Sequence, residues 1–281
     1  MTSVSGTHVR RLTRSQAALL KKQDYNYEIS TASDTDSDCS DGPPDETPRL
    51  WSQWYDVINA KHEVPRKLFH SVTGVFSIWL YVNGYNAAIF TKPFIMVGSF
   101  MLVVELLRFR YQKVNLMVFK LFGFMMRESE HQTYNGTLYF LFGLILTTAS
   151  LPKDLCLMTN MLLSWADTSA SIVGREWGKY TVSLKRGKSL AGSIASFVTG
   201  VFVCYLQYAY LIPKYHHLVD SPGEVLWSPE SSKLSIHVFA AATGLIASVS
   251  EFIDLWGLDD NFTIPTLSGL FLYTLLYSTR L

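Results

Sequence analysis

The stretch from Ser164 to Ser193 reads S-W-A-D-T-S-A-S-I-V-G-R-E-W-G-K-Y-T-V-S-L-K-R-G-K-S-L-A-G-S. It starts inside an apolar run, leaves it through Asp167 and a ladder of small residues, crosses a short loop and enters a second apolar run. The loop carries Arg175, Lys179, Lys185, Arg186 and Lys188 against a single acid, Glu176. Two apolar runs joined in this way read as membrane helices meeting at one surface. An acid, glycines and clustered cations at that surface form a phosphate-handling composition.

The rest of the chain has the same character. Of 281 residues, 48% are hydrophobic and only 17% are charged, where a soluble domain carries roughly 25%. The net charge of +1 hides a strong segregation along the chain. Apolar runs fall near 68–86, 88–107, 137–153, 154–173, 189–212, 236–255 and 262–279. Each is close to the roughly 20 residues that cross the hydrocarbon core. The expected fold is all-α: a polytopic transmembrane helical bundle of about seven spans. Residues 114–126, broken by Lys120, are expected to lie on the surface or re-enter. The cysteines, Cys39, Cys156 and Cys204, show neither metal-ligand spacing nor pairing logic.

Two domains are expected, a tail over 1–50 and a transmembrane domain over 51–281. Between Glu28 and Glu46 the tail holds seven acids, no Lys or Arg, and many Ser and Thr. Such a segment buries too little apolar area to offset its chain entropy, which predicts disorder. Ser33, Thr35 and Ser37 have acids just downstream and suit an acid-directed protein kinase. Trp51, Trp54, Tyr55 and Ile58 share one helical face and predict an interfacial helix leading to Pro65.

Lys and Arg concentrate in 108–136 and 174–188, which puts these loops and the N-terminus on the cytosolic side. The acceptor patterns at Asn135 and Asn261 then lie on the side where no glycan is added. The polar residues out of place in a membrane gather on the same side. Arg66, Lys67 and His70 open the first span, and Glu105 closes the second. Asn135 precedes the third, Asp167 sits in the fourth, and Glu251 and Asp254 end the sixth. Asp259, Asp260 and Asn261 follow. Asp in a membrane helix costs roughly 2.5–3.5 kcal/mol at the centre, so it is paired, hydrated or functional.

Asp167 shares a helical face with Ala170, Ser171 and Gly174, and Gly174 is expected to end that helix beside Arg175. Lys188, Ser189 and Gly192 at the start of the next helix predict an anion site. It is not a Walker A loop, which would need Gly where Val182 stands. Asp259 and Asp260 suit a cation that takes one or two carboxylates plus phosphate oxygens.

Taken together, Asp167-x-x-Ala170-x-x-x-Gly174-Arg175-x-x-Gly178-Lys179 and Lys188-Ser189-x-x-Gly192-Ser193 resemble the integral-membrane CTP-dependent lipid kinases. Dolichol and phytol kinases belong to that group, with CDP-diacylglycerol synthases as distant relatives. Thr133-Tyr134-Asn135-Gly136, Trp227-Ser228-Pro229-Glu230 and Asp259-Asp260-Asn261-Phe262-Thr263-Ile264-Pro265 look like its fungal diacylglycerol kinase branch. The resemblance spans about residues 50–279.

It implies transfer of the γ-phosphoryl group of CTP to diacylglycerol, giving phosphatidate and CDP. It also implies a Mg or Ca ion, and residence in the endoplasmic reticulum and nuclear membranes. Arg66, Lys67, Asp167 and Gly174 match positions that the family needs, while Ala191 stands where relatives often carry an acid. On that footing Gly174, Arg175, Gly178, Lys179, Lys188, Ser189 and Gly192 would receive the nucleotide. Asp167, Asp259 and Asp260 would hold the metal, and His70, Asn135, Glu251, Asp254 and Asn261 would complete the pocket. The partners expected are CTP, diacylglycerol and membrane lipids, with no nucleic acid. A polyprenol kinase or a phosphatidate cytidylyltransferase is the neighbouring alternative. A transporter or scaffold is the non-enzymatic one, though no inverted repeat is visible.

Overall fold

The computed structural model describes residues 64–122, 126, 130, 133–185, 187–253 and 257–281. The expectations for the tail over 1–50, for the aromatic helix before Val64, and for Arg186 and Asp254 lie outside the described residues. The described chain is almost entirely helical. In order come α1 (Val64–Val82), a 3₁₀ turn (Ala87–Phe90), α2 (Thr91–Arg110), α3 (Gln112–Phe122) and α4 (Gly136–Ser150). Then α5 (Lys153–Met161), a π turn (Leu162–Ala166) and α6 (Asp167–Trp177) form one continuous rod. A hairpin of β1 (Ser183–Lys185) and β2 (Lys188–Ser189) leads into α7 (Leu190–Tyr205). A second π turn (Leu206–Leu211) joins α7 to α8 (Ile212–Val219), followed by α9 (Ile236–Phe252) and α10 (Asp260–Ser278).

Each of the seven apolar runs is thus a helix or a helical rod. Two rods, Ala87–Arg110 and Leu190–Val219, are long and apolar enough by themselves to cross a bilayer, and Gly136–Ser150 and Ile236–Phe252 are apolar but shorter.

The polarity of the bundle is inverted relative to a water-soluble protein. The outer faces carry Phe76, Trp79, Met96, Phe100, Val103, Ile194, Val198 and Leu245, all exposed. The interior buries Glu105, Arg108, Asp154, Thr159, Gln207, Thr243, Ser250, Thr263 and Ser268 alongside Leu155, Met158, Leu162, Phe239 and Leu272. Of α2 only Gly98, Glu105 and Arg108 are buried. An apolar surface this extensive needs lipid to cover it. Helices in lipid associate through small and polar residues rather than through hydrophobic contrast.

The α7–α9 crossing shows this packing. A Cβ on Gly200 would lie 2.8 Å from the Cα of Gly244, and one on Gly244 would lie 2.6 Å from the Phe197 carbonyl oxygen. Those neighbours are backbone and cannot turn away. Gly244→Leu is therefore expected to cost about 3 kcal/mol. Thermal unfolding in detergent checks it, and a melting temperature equal to the parent's would disprove the close crossing.

Two sequence expectations change here. Gly174 does not end its helix, which runs on to Trp177. The basic loop is not an open turn but a hairpin, closed at Gly187 with φ of 81°, a conformation that glycine adopts without strain. At the far end of the bundle Lys153 is no stray surface cation. It lies 3.0 Å from Asp220 and donates to the Val219 carbonyl at 2.6 Å. Tyr81 also donates to Asp220, and Tyr208 and the Leu226 amide donate to Asp154. This buried network ties α1, α5 and the 219–226 loop together.

Candidate functional site

Because the rods alternate in direction, the N-termini of α1, α4, α7 and α10 and the C-termini of α2, α6 and α9 share one end. The register between α1 and the α5–α6 rod is set by side chains. Asn160 donates to Ser77, the Thr73 and Ser164 hydroxyls lie 3.1 Å apart, and the Trp165 indole donates to the Ser71 carbonyl at 3.2 Å. Continued one turn, this antiparallel register sets His70 level with Asp167 and Lys67 level with Ala170. Lys67 and His70 are both buried, and the His70 ring stands edge-on to Phe140 with centroids 5.2 Å apart.

Asp167 follows directly on the π turn and is half-buried. Such turns insert an extra residue into the helix and are frequent at functional sites. Asp167, Lys188 and Asp260 all lie within electrostatic reach of Glu251 in the last turn of α9. Lys188 joins two of these elements: its ammonium donates to the Glu251 carbonyl oxygen and lies 3.2 Å from the Asp260 carboxylate. Asp259 caps α10, accepting from the Asn261 amide at 2.9 Å. Asn261 in turn donates to the Gly136 carbonyl.

Asn135 caps α4 by accepting from the Thr137 amide at 2.8 Å. Arg66, His70, Asn135 and Asn261 line one small cavity of about 10 Å³, room for no more than a water. The expected residues therefore form a ring from Arg66, Lys67 and His70 through Asp167, Glu251, Lys188 and Asp260 to Asn261 and Asn135. Arg175 and Lys179 are exposed beside it on the α6 side. The Asn135 and Asn261 side chains are buried, and burial by itself would keep them free of glycan.

The glycines also have a packing task. A Cβ on Gly192 would lie 2.9 Å from the Ala170 carbonyl oxygen and 3.5 Å from the Cα of Gly174, and one on Gly178 would lie 2.7 Å from the Ser189 hydroxyl. Gly174 and Gly192 let α6 and α7 touch backbone to backbone, and Gly178 makes room for the Ser189 side chain, which holds Asp167 and Lys188 at one end. Ser189 caps α7 by accepting from the Gly192 amide.

A positioning pair was legible only in part. Glu105 and Arg108 are 1% and 2% exposed and form a two-bonded ion pair at 3.1 and 2.6 Å. Arg108 also donates to the carbonyls of Glu130 and Thr133, both at 2.6 Å, and Glu105 accepts from the Asn135 amide at 3.1 Å. The pair thus fixes the loop that delivers Asn135. An acid and an arginine three apart at the end of an apolar helix signalled it, but Arg108 counted only as a surface cation. Trp227, in a motif that carried the resemblance, stacks on Phe239 with centroids 5.6 Å apart at the far end, a packing role.

An apolar exterior, a polar interior and a charged ring at one end define a helical membrane protein with charged groups gathered at one end of the bundle. No family model matches the chain, and no solved structure matches it. Three fungal proteins do, each named CTP-dependent diacylglycerol kinase 1. The one from Saccharomyces cerevisiae is 42% identical over 220 residues, 78% of this chain and 76% of the relative. Those from Eremothecium gossypii and Schizosaccharomyces pombe are 43% and 35% identical, covering 80% and 82% of this chain and 70% and 99% of the relatives. Plant proteins named as probable phytol kinases are more distant relatives. The chain belongs to the CTP-dependent diacylglycerol kinase family, and it is an enzyme of the lipid kinase class.

Proposed function

We propose that this chain transfers the γ-phosphoryl group of CTP to the free hydroxyl of diacylglycerol, giving CDP and phosphatidate. The observation that carries the reading is the ring of opposite charges at one end of the bundle in a chain 42% identical to a fungal enzyme of that name.

Phosphoryl transfer asks mainly for in-line positioning and for neutralisation of charge on the group in flight. Arg175, Lys179 and Lys188 meet the triphosphate from the α6 side and the hairpin. Arg66 and Lys67 meet it from α1. The diacylglycerol oxygen attacks the γ phosphorus, the bond to the bridging β–γ oxygen breaks, and the hydroxyl proton leaves to a carboxylate or to water. Among the described residues no three metal-ligating side chains stand together as a finished cage. Asp167 and Asp260 each approach Glu251, and one or two carboxylates with phosphate oxygens are what a hard divalent cation takes. Asp167 and Asp260, with Asp259 beside them, would hold it, and it would supply charge neutralisation at the phosphates.

The reading includes seven crossings, a cytosolic N-terminus that puts the ring at the cytosolic face, and residence in the endoplasmic reticulum and nuclear membranes. It also includes modification of Ser33, Thr35 and Ser37 by an acid-directed kinase. Support comes from the seven helical rods and the cationic loops.

The test uses protein purified in detergent with γ-labelled CTP and, as acceptors, diacylglycerol, dolichol and phytol. Label in phosphatidate with release of CDP is expected. Pyrophosphate release would make the enzyme a cytidylyltransferase, and label in dolichol alone would make it a polyprenol kinase.

A further inference from the structure

Immediately below the ring lies a second cavity, of about 300 Å³, between α1, α2, α4 and α5. Phe69 and Phe140 border both it and the small polar cavity of Arg66, His70, Asn135 and Asn261. It is walled along α1 from Phe69 to Tyr81, a rise of roughly 18 Å. That depth compares with the roughly 15 Å of one leaflet, half of the hydrocarbon core, and the cavity runs parallel to the helices, as a lipid chain does. Its walls are mostly apolar, Phe94 and Leu144 among them, with Thr147, Thr148 and Lys153 at the deep end and one polar step nearer the ring. That step is Thr73, Ser77 and Asn160, one to two helical turns deeper than His70.

Asn160 is the unusual member. Its amide nitrogen donates to Ser77, and its amide oxygen is buried with no partner. Turned over, the amide oxygen could accept from Ser77 only if that hydroxyl gave up its bond to the Thr73 carbonyl at 2.9 Å, and the amide would then offer two N–H donors to the cavity; in the orientation present, its second N–H is the donor available. In either orientation one amide group is left without a partner, which costs free energy in a buried place unless a ligand or water meets it.

Resting on the kinase reading above, we propose that this cavity takes one acyl chain of the diacylglycerol, with Asn160 donating to that chain's ester carbonyl. The hydroxyl of diacylglycerol and its ester carbonyls are separated by about one helical turn, ~5 Å. A hydroxyl at the level of His70 and Asp167 therefore sets an ester carbonyl near the level of Thr73, and a hydrogen bond of roughly 3 Å spans most of the remaining distance to Asn160, which pairs with Ser77 about 10 Å below His70. The amide is then a specificity determinant: it reads an ester, which dolichol and phytol lack, while the apolar wall would accept any of the three.

The experiment compares a 1,2-diacylglycerol with the 1,2-dialkylglycerol of the same chain lengths, which keeps the hydroxyl and lacks both ester carbonyls. One hydrogen bond corresponds to a preference of about five- to tenfold in kcat/KM for the ester. Asn160→Leu should bring the ratio to about one. Because the ratio compares two substrates on the same preparation, a folding defect does not move it. If Asn160→Leu yields no active protein, Ser77→Ala, which releases the same amide from its anchor, should alter the ratio. Leu144→Phe, which narrows the cavity, should shift preference towards shorter chains. A wild-type ratio of one, or a ratio and chain-length profile unmoved by these substitutions, overturns the cavity assignment. A wild-type protein that phosphorylates neither glyceride from CTP overturns the kinase reading itself.

Discussion

Asp167→Asn is expected to lower phosphoryl transfer by about a thousandfold, the scale on which a positioned carboxylate contributes, without loss of melting temperature. The second half of that expectation is the diagnostic one. Asp167 stands half-buried, with Glu251 close enough for the two acids to repel. Neutralising one of two like charges relieves that repulsion, and Asn keeps the shape of Asp. A residue kept only for structure would lose stability on substitution. A residue kept against its own electrostatic cost would leave stability equal or higher while activity falls. Thermal unfolding and initial rates on one preparation separate these outcomes. Activity retained in a normally folded Asp167→Asn protein would remove Asp167 from the chemistry. Its role then divides by titration. As a cation ligand, its loss raises the divalent cation concentration needed for half-maximal rate. As proton acceptor, its loss flattens the dependence of kcat on pH.

Why such an acid could be found in the sequence at all is a matter of solvent. In lipid a carboxylate is expensive, so Asp167 stood out against its apolar surroundings. The same contrast made the seven helical rods readable from hydropathy, with boundaries within about four residues of those observed except at the end of the fifth, which runs on to Val219. What escaped was whatever depends on a partner helix. The π turn before Asp167 leaves no mark in the apolar pattern, since it adds one residue to a turn that is buried anyway.

Gly174, Gly178 and Gly192 read equally well as a phosphate cradle or as a helix crossing. The 2.9 Å that would separate a Gly192 Cβ from the Ala170 carbonyl oxygen shows the crossing. Lys188 read as a phosphate ligand and Asp260 as a metal ligand; what the structure shows of them is an ion pair in which each holds the other in place. The hairpin formed by Ser183–Lys185 and Lys188–Ser189 is too short to show a period of two, so in the sequence it reads only as a short loop. Lys153 and Asp154 sat at the edge of a predicted span and looked like a boundary, whereas Tyr81, Tyr208 and Asp220 make them a buried network from three separate stretches of chain.

Arg108→Ala should be the most damaging single change away from the ring itself. It leaves Glu105, 1% exposed, as a buried charge without its counter-ion, an arrangement that costs about 3–5 kcal/mol. It also strips the Glu130 and Thr133 carbonyls of their donor. For a bundle of this size the melting temperature should fall by about 10 °C. Arg108→Lys should recover only part of this, because one ammonium cannot reproduce the two-bonded fork and the two carbonyl contacts together.

The double variant Glu105→Leu, Arg108→Leu separates stability from placement. Removing both charges removes the unpaired one, so melting should return to within a few degrees of the parent, as replacement of buried pairs by apolar residues commonly allows. Activity should stay low all the same. The Asn135 amide then lacks its carboxylate acceptor and the 130–135 loop lacks its clamp, so Asn135 is no longer held against Arg66, His70 and Asn261. Restored activity in the double variant would show that the pair serves stability alone. A melting temperature unchanged in Arg108→Ala would show that the pair does not form in the membrane-extracted protein.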